Sequence, residues 1–403
     1  MELDIQQFIP SSSVKISLDT SNVFEYLATL NYCQVSDRDP SRVTVISAKN
    51  FNLLIAFKDG RNLLVKQELH NNCGQTQAEF WSAWQLQALI KRFPDLESKI
   101  GAFLPELIYF DPDNSILIVK YLADYTDLYQ YYTNEHKFPV EVARSIGQLL
   151  ATIHSQTFQQ PQYQQWLERS DIRPQSNQNP SDRSHPAIDL IDRLNHLTPQ
   201  IFQVTPPGCL QFFRLYQRFP NLSLAMIDLG KSITPSCVVH HDLKLNNILI
   251  DLEWEQPGST VIRLIDWERA TWGDPAFDLG CLLASYLEIW LDGLVIGNSL
   301  SINQSLKLAT TPLELLQPSL FLLVQAYLAG FPAIMLARPD YLDRVIQFAG
   351  LALIQNIEGK IYAERNFDNR GIVILQVAKQ LICTPQAAMN TLFGANSSQL
   401  ITI

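Results

Sequence analysis

Short apolar stretches separated by turn residues dominate the first third of the chain, and this pattern predicts strands. The predicted strands are residues 42–47, 52–57, 62–66, 107–110 and 115–119. The pair Asp59-Gly60 lies between the second and third of them and supplies the positive φ angles of a tight turn. The pattern therefore predicts a β-hairpin over these two strands.

The rest of the chain has apolar positions at helical spacing. Residues 21–33, 76–91 and 140–154 are predicted helices, and helices alternate with short loops from about Phe277 onward. Residues 156–186 are rich in Gln, Pro, Ser and Asn, a composition that is typical of an exposed connection. A strand-rich first third followed by a helix-rich remainder predicts an α+β fold with two lobes.

The length and composition are those of a folded protein with more than one core. The chain has 403 residues, of which 47% are hydrophobic and 17% are charged, and this length suits two packed lobes. The net charge of −10 and the lack of a basic stripe argue against nucleic acid as a partner. The six cysteines form no C-x-x-C pair, so we expect free thiols in a reducing cytoplasm.

The most membrane-like run covers residues 320–337. It contains Gln325, Gly330 and Pro332, and it is only marginally long enough to span a bilayer. We therefore expect a buried helix that is broken near Pro332, and no membrane as a partner. The acidic, polar start of the chain does not resemble a signal peptide.

Two segments in the second half of the chain carry the candidate chemistry. Asp242 and Asn247 lie in a polar loop between two apolar strands, and Asp266 follows another apolar strand. Phosphoryl transfer needs a metal that bridges phosphate oxygens, for which Mg²⁺ with carboxylate and amide ligands is suited, and a carboxylate that takes the hydroxyl proton. We assign Asp242 to the hydroxyl, and Asn247 and Asp266 to the metal. The alternative to these catalytic roles is that Asp242 and Asn247 are turn residues and that Asp266 caps the end of a strand. The occurrence of all three in this order and at these spacings favours the catalytic roles.

The first third of the chain supplies a cation for the phosphates. Lys66 ends the strand that returns from the hairpin, and its side chain should share a face of the sheet with Leu64. A lysine at such a depth is usually paired or bound to a ligand. Glu79, in the first turn of the next predicted helix, is expected to reach Lys66 and to hold it on the α- and β-phosphates. Considered alone, Lys66 is equally well explained as a surface lysine.

These segments resemble the aminoglycoside phosphotransferase and choline kinase family, which shares the protein-kinase-like fold. The H-x-D-x-x-x-x-N loop of the family and its D-W-E, G-D-P and D-L signatures all occur in order. They fall on His240 with Asp242 and Asn247, and on residues 266–268, 273–275 and 278–279. The resemblance covers residues 40–290, and the later residues match only as generic helices.

The resemblance implies a two-lobed fold with a small antiparallel β-sheet in the N-lobe and a larger, mostly helical C-lobe. Residues 1–120 would form the nucleotide-binding N-lobe, 121–126 the hinge, and 127–403 the C-lobe with the catalytic loop, the metal-binding loop and the acceptor site. Within the hinge, Tyr121 and Leu122 would meet the adenine.

The resemblance also implies roles for the residues of the two loops. Asp242 would be the catalytic base, and Asn247 and Asp266 would be the magnesium ligands. Lys66 and Glu79 would be the pair that anchors the phosphates of ATP.

Two further residues would be structural: Asp278 would brace the catalytic loop, and His240 would face the core.

Two features depart from the family pattern. Lys244 stands where relatives that act on antibiotics often have another residue, and its ammonium would neutralise the transferred phosphate. The nucleotide-covering turn, residues 47–52, contains no glycine, and its last residue, Asn52, is a candidate nucleotide contact.

The predicted reaction is transfer of the γ-phosphoryl group of ATP, with GTP as the alternative donor, to a hydroxyl of a small molecule. Only seven residues separate Glu268 from Ala276, which is too few for the activation segment of a protein kinase. Lys244 and the connection at 156–186 nevertheless leave a peptide or protein acceptor open. A non-catalytic binding module on the same scaffold is the third hypothesis.

Overall fold

The computed structural model describes most of the chain, and contacts between residues divide the chain into two units. The described residues are 16–71, 76–169, 185–197, 205–256, 261–297 and 300–401. The first unit comprises Met1–Thr126, Gln162–Arg183 and Asp251–Thr271, and the second comprises the rest.

The strands and helices of the described residues are numbered in chain order. The strands are β1 (Val43–Ile46), β2 (Phe51–Ala56), β3 (Asn62–Gln67), β4 (Leu107–Asp111), β5 (Ile116–Lys120), β6 (Tyr125–Asp127), β7 (Cys237–Val239), β8 (Ile248–Asp251), β9 (Ile262–Leu264) and β10 (Thr271–Gly273). The helices are α1 (Val23–Thr29), α2 (Glu79–Arg92), α3 (Pro94–Ile100), α4 (Leu128–Glu135), α5 (Val140–Thr157), α6 (Pro161–Leu167), α7 (Pro186–Asn195), α8 (Pro207–Tyr216), α9 (Pro220–Lys231), α10 (Pro275–Asp292), α11 (Ile302–Lys307), α12 (Leu313–Gly330), α13 (Ala333–Ala337), α14 (Tyr341–Glu364), α15 (Asn369–Cys383), α16 (Pro385–Phe393) and α17 (Ser397–Ile401). Strands β1 to β5 confirm the five strands predicted from the apolar pattern.

An antiparallel sheet with the order β1-β2-β3-β5-β4 organises the first unit. Gly60, with φ 87°, provides the tight turn between β2 and β3. Because alternate residues point to opposite faces, Leu53 and Val65 lie on one face, where they join a buried cluster with Phe24 and Leu27 of α1. This cluster fixes the register of the sheet and leaves the other face for the residues of the site.

Two later segments group with the first unit through contacts with α2. Trp166 Nε1 donates to the Gln85 carbonyl oxygen at 3.2 Å, and Gln85 Nε2 donates to the Trp166 carbonyl oxygen at 2.9 Å. Residues Trp267–Arg269 also pack against α2. The limits predicted from the sequence assign all of 127–403 to one lobe, whereas these two segments group with the first unit. The contacts responsible join residues that are far apart in the chain.

The second unit is mainly helical. Its long helices pack in pairs, with α5 against α12, α10 against α14, and α14 against α15. Helix α10 begins after Asp274, whose side chain accepts a hydrogen bond from Ala276 N at 3.1 Å, and Pro275 takes the first position, where no amide donor is needed. At Gly280 a Cβ would lie 2.6 Å from Phe348 Cβ, so this glycine allows α10 to approach α14.

One helix of the described residues, α12, is long and apolar enough to cross a membrane, and half of it is buried inside the protein. Helices α15 and α16 pass the same test only as a pair, and they meet at a bend of 118°. The core helices of globular proteins have the same length and composition. Helix α12 ends at Gly330 and α13 begins at Ala333, which confirms the predicted break near Pro332.

Three predicted elements differ from the structure. The helix predicted at 21–33 covers only Val23–Thr29. The helix predicted at 76–91 begins only at Glu79, because Ala78 has a left-handed backbone with φ 55° and its amide donates to Thr76 Oγ1 at 3.3 Å. The exposed connection predicted at 156–186 contains the last two residues of α5, the whole of α6 and the first residue of α7. Its residues 170–184 lie outside the described residues.

Helix α5 approaches α12 so closely at Gly147 that a larger residue would clash. A Cβ at Gly147 would lie 2.2 Å from the Leu323 carbonyl oxygen and 3.2 Å from Ala326 Cβ. We expect Gly147→Ala to lower the free energy of unfolding, measured by urea denaturation, by about 1–3 kcal/mol through overpacking. Gly359→Ala in α14, where a Cβ would meet no atom within 4 Å, should instead raise it by about 0.5–1 kcal/mol. Equal effects of the two substitutions would contradict this account of the α5–α12 contact.

Candidate active site

Lys66 and Asn52 are neighbours on the face of the sheet opposite the α1 cluster. They lie directly across from each other on β3 and β2, and opposed residues of an antiparallel pair share a face. Asn52 is 8% exposed, and its Oδ1 has no hydrogen-bond partner among the described residues. A buried acceptor without a partner costs free energy, so this position suits a ligand that donates a hydrogen bond.

An apolar strip lies beside Lys66 on the same face. Leu54 lies opposite Leu64, and Leu64 lies opposite Val119 of β5. All three are half-buried, and such a surface suits a flat, mainly apolar ring such as adenine. Leu54 and Val119 belong to no sequence motif, and the signal that points to them is the two-residue period that links Leu64 to Lys66.

Tyr121 and Leu122, the predicted adenine contacts, follow β5 directly. The Tyr121 amide donates to the Asn62 carbonyl oxygen at 3.0 Å, so the chain stays beside β3 for one residue beyond the strand. Tyr121 is 36% exposed, and Leu122 is half-buried. Both residues therefore lie at the end of the strand that carries Val119.

Lys66 forms its ion pairs with the segment that follows β9. Its Nζ lies 2.5 Å from Asp266 Oδ1 and 2.9 Å from Glu268 Oε1. Burial lowers the pKa of Lys66, but the two carboxylates outweigh burial and hold the pKa above its ordinary value. Burial also raises the pKa of Glu268, and Lys66 opposes that shift. Lys66 is therefore fully charged at neutral pH.

Glu79 pairs with other cations, so the predicted pair of Lys66 and Glu79 is wrong. Glu79 Oε1 lies 2.6 Å from Lys49 Nζ and 3.7 Å from Arg269 Nε. Glu79 is the first residue of α2, and its amide donates to Glu68 Oε1 at 2.9 Å. This bond holds Glu79 at the start of the helix, where the β1–β2 turn supplies Lys49, while Lys66 already has two carboxylates within 3 Å.

Asp266 has a left-handed backbone, with φ 61° and ψ 49°. Aspartate tolerates this conformation better than most residues, and strained residues are concentrated at functional sites. A single 3₁₀ turn, Trp267–Arg269, follows, and Trp267 Nε1 donates to the Leu264 carbonyl oxygen at 3.0 Å. The Asp266 side chain contacts Lys66 and remains 38% exposed, so a metal can reach it.

In the second unit, Lys244 and Asn247 meet at the carboxylate of Asp242. Lys244 Nζ donates to Asp242 Oδ2 at 3.0 Å. Asn247 Nδ2 donates to the Asp242 carbonyl oxygen at 2.7 Å and to its Oδ2 at 3.3 Å. These bonds fix the amide nitrogen of Asn247, so its Oδ1 is the atom that suits a metal. The Asp242 side chain is 37% exposed, which leaves it accessible to a hydroxyl group.

Asp278, in the first turn of α10, holds the backbone of this loop, as the resemblance implies. Its carboxylate accepts from His240 N at 2.6 Å and from His241 N at 2.9 Å, and His154 Nε2 lies 3.4 Å away. Burial favours the neutral acid, but the hydrogen bond from His154 and the nearby histidines hold the pKa of Asp278 below its ordinary value. His240 is fully buried, and His241 has φ 61° immediately before Asp242.

Ser285 of α10 lies on the face that carries Asp278, because it follows Asp278 by seven positions, and Glu288 follows Ser285 by three positions. Ser285 Oγ accepts from Leu245 N at 3.0 Å, which fixes the catalytic loop at a second point. Glu288 lines a cavity of about 10 Å³ between α10 and α14. Neither residue belongs to a sequence motif, and for Ser285 the seven-residue spacing from Asp278 is the usable signal.

Glu288 should make stability depend on pH. Burial raises the pKa of Glu288 to about 7 against an ordinary value of 4.5, with Lys360 opposing. The native state therefore binds more protons than the unfolded state between these values, so the free energy of unfolding should fall as pH rises from 4.5 to 7, by at most about 3 kcal/mol. We expect Glu288→Gln to remove this slope in urea denaturation at a series of pH values. Glu364→Gln, at an exposed position, should keep it, and a slope that survives Glu288→Gln would contradict the assignment.

The Gly-Asp-Pro signature has a structural role. Asp274 is fully buried and accepts from Arg338 at 2.9 Å and from Arg344 at 2.6 Å. It also accepts from Thr234 N at 2.9 Å. These bonds tie the start of α10 to the start of α14.

Asp266 and Asn247 each carry a side chain whose chemistry suits the predicted magnesium ion. Asp266 offers a carboxylate and Asn247 an amide oxygen, which are the hard ligands that Mg²⁺ prefers. In the part of the chain that the structure describes, no group of three or more His, Cys, Asp or Glu side chains could hold a metal. Mg²⁺ commonly uses only one or two protein ligands, because it keeps water and binds substrate phosphates.

Comparisons with known proteins agree with the resemblance seen in the sequence. The model of the phosphotransferase enzyme family matches residues 98–303, whereas no curated protein sequence matches the chain. An ethanolamine kinase from Plasmodium vivax is 11% identical, with a TM-score of 0.50 over 92% of this chain and 95% of that one. A choline/ethanolamine kinase family protein from Mesorhizobium loti is 15% identical (TM-score 0.48; 94% and 99% covered), and the ADP-bound aminoglycoside phosphotransferase APH(2'')-Ib is 14% identical (TM-score 0.47; 90% and 99% covered).

The similarity to the Plasmodium vivax structure concerns the fold. An N-terminal antiparallel sheet followed by a mostly helical region is the protein-kinase-like fold, as the sequence predicts. The family model covers just over half of the chain, including Asp242, Asn247 and Asp266. On this evidence the protein belongs to the phosphotransferase enzyme family.

Proposed function

We propose that the protein transfers the γ-phosphoryl group of ATP to a hydroxyl group of a small molecule, with Mg²⁺ as cofactor. The observation that supports this best is the arrangement at Asp242. Its accessible carboxylate is held by Lys244 and Asn247, in a loop whose backbone is fixed by Asp278. A fixed, accessible carboxylate is the group that an attacking hydroxyl needs as its proton acceptor.

In this proposal Asp242 takes the proton of the acceptor hydroxyl as its oxygen forms a bond to the γ-phosphorus. The bond between that phosphorus and the β–γ bridging oxygen breaks, and ADP leaves with the electron pair. Lys244, whose Nζ lies 3.0 Å from Asp242 Oδ2, offsets the negative charge of the transferred group. Most of the rate enhancement then comes from position and electrostatics, as is usual for phosphoryl transfer.

The nucleotide would use the open face of the sheet. Lys66 would bind the α- and β-phosphates, Asn52 would accept a hydrogen bond from the nucleotide, and the Leu54–Leu64–Val119 strip would contact the adenine. Asp266 and Asn247 would hold Mg²⁺, which when bound neutralises charge on the phosphate oxygens. The ADP in a similar structure supports an adenine nucleotide, and GTP is the alternative donor.

The size of the acceptor distinguishes a small-molecule kinase from a kinase of peptides or proteins. Candidate acceptors are amino alcohols, sugars and antibiotics, and a peptide or protein acceptor is the second hypothesis because Lys244 is retained. We would incubate the protein with γ-labelled ATP, Mg²⁺ and a cytoplasmic extract that has been separated by size. Label in the small-molecule fraction supports the proposal, and label in the macromolecular fraction supports the second hypothesis.

Asp266→Asn serves as the control in this assay, because it removes a carboxylate that the proposed chemistry needs. Label that appears with both proteins would come from another kinase in the preparation. If the wild-type protein binds ATP and no fraction gains label, either the extract lacks the acceptor or the protein is a non-catalytic binding module.

A further inference from the structure

The turn between β1 and β2 carries a cation that the proposed function does not use. Lys49 is 55% exposed, and its Nζ lies 2.6 Å from Glu79 Oε1 and 3.1 Å from Gln77 Oε1. The next residue, Asn50, places its Nδ2 3.4 Å from Glu268 Oε2. The turn therefore contacts both the start of α2 and the segment that pairs with Lys66.

Several charged side chains lie close together in this part of the first unit. The cations Lys49, Lys66 and Arg269 face the carboxylates of Glu79, Asp266 and Glu268, and the Glu68 carboxylate accepts from the amide of Glu79. An ATP molecule adds several negative charges, and a metal that takes the Asp266 carboxylate adds two positive ones. The phosphates then compete with the carboxylates for the cations of this region, because the attraction between opposite charges grows as the distance between them falls.

Lys49 is the cation that can move at least cost. Its side chain is 55% exposed, whereas that of Lys66 is 10% exposed, so Lys49 loses little packing when it leaves Glu79. Glu79 is nearly buried and would be destabilised without a partner. Arg269 Nε, 3.7 Å from Glu79 Oε1, remains to neutralise it.

The composition of the turn explains why a side chain is needed there. Kinases use a glycine-rich loop to bring backbone amides to the phosphates of ATP. The residues Ser47-Ala48-Lys49-Asn50 include no glycine, so the backbone cannot approach as closely. A lysine ammonium is a mobile point charge that binds phosphate without a fixed backbone geometry.

We propose that Lys49 is a phosphate-contacting residue of the nucleotide site, and that its ammonium passes from Glu79 to the terminal phosphates when ATP binds. This inference rests on the proposed function, since it requires ATP as the ligand. It assigns to a side chain the contact that glycine-rich turns make with backbone amides. In this arrangement Lys66, on the strand, would contact the α- and β-phosphates, and Lys49, on the covering turn, would contact the terminal phosphates.

The test is calorimetric binding of MgATP, MgADP and AMP to the wild-type protein and to Lys49→Gln. The loss of one charged contact should weaken ATP about ten- to a hundredfold, ADP less, and AMP not at all. Lys49→Arg should restore most of the ATP affinity, and ATP binding should depend less steeply on salt in Lys49→Gln. Lys58→Gln, at an exposed lysine of the next turn, is the matched control and should bind all three nucleotides like the wild type.

The other outcomes overturn the inference in distinguishable ways. Equal loss of affinity for ATP and AMP would mean that Lys49 only holds Glu79 in place, and unchanged ATP affinity would mean that Lys49 has no part in binding. In both cases the wild-type protein binds ATP, so the proposed function stands. If the wild-type protein binds none of the nucleotides, both the inference and the proposed function fail.

Discussion

Asp266→Asn should abolish phosphoryl transfer, with turnover reduced by about a thousandfold or more, and should leave the fold intact. Asp266 is the proposed magnesium ligand, and the loss of a metal carboxylate removes several kcal/mol of transition-state stabilisation. The same carboxylate lies 2.5 Å from Lys66 Nζ, so the substitution also releases the cation that would bind the phosphates. Asparagine tolerates the left-handed backbone of this position, with φ 61°, and the 38% exposed side chain is not part of a core.

The measurement is the rate of label transfer from γ-labelled ATP to the small-molecule fraction at saturating Mg²⁺. Asp113→Asn is the matched control, because Asp113 is an exposed aspartate in the turn between β4 and β5 of the same unit. It should retain wild-type turnover. If Asp266→Asn keeps more than about a tenth of the turnover, a loss of under 1.4 kcal/mol, the metal assignment is wrong. Glu268, the other carboxylate on Lys66, would then be the next candidate.

The sheet could be predicted from the sequence because its signals are local. Each strand is a short apolar run next to a turn, and Asp59-Gly60 fixes one hairpin. Strands β1 to β5 consequently agree with their predicted limits to within one or two residues. The alternation along β3 also places Lys66 and Leu64 on the face opposite Val65, as expected.

The partner of Lys66 could not be predicted because it depends on the tertiary fold. The sequence predicts Glu79 as the partner because it lies 13 positions away, at the start of the next helix. The observed partners, Asp266 and Glu268, are 200 and 202 positions away, and no local pattern indicates which of the available carboxylates the fold brings to the lysine. The pairing of Glu79 with Lys49 across 30 positions was missed for the same reason.

The contacts of the catalytic loop could be predicted only in part. Its internal contacts span two to five residues, from Asp242 to Lys244 and to Asn247, so the motif itself contains them. The support from Asp278 comes from 37 to 38 positions away, and it was expected only because the D-L signature of the family marks that aspartate. Ser285 carries no such signature and was missed.

Asp242→Ala should separate binding from catalysis, with ATP affinity close to that of the wild type and turnover reduced by about a hundred- to ten-thousandfold. The carboxylate would be the proton acceptor of the hydroxyl, so its removal affects the transition state and not the bound nucleotide. The loop should keep its conformation, because the amides of His240 and His241 still donate to Asp278 and the amide of Leu245 still donates to Ser285.

The loss of Asp242 leaves Lys244 without an ion-pair partner, but Lys244 is 45% exposed and water can solvate it. The test measures the ATP dissociation constant by calorimetry and turnover by label transfer with the same protein samples. Asp251→Ala, at a half-exposed strand end, is the control and should change neither quantity. Near-normal turnover of Asp242→Ala on the true acceptor would show that another group takes the proton. Equal losses in ATP affinity and turnover would instead place Asp242 in the nucleotide site, because a general base contributes to the transition state and leaves the ground-state complex unchanged.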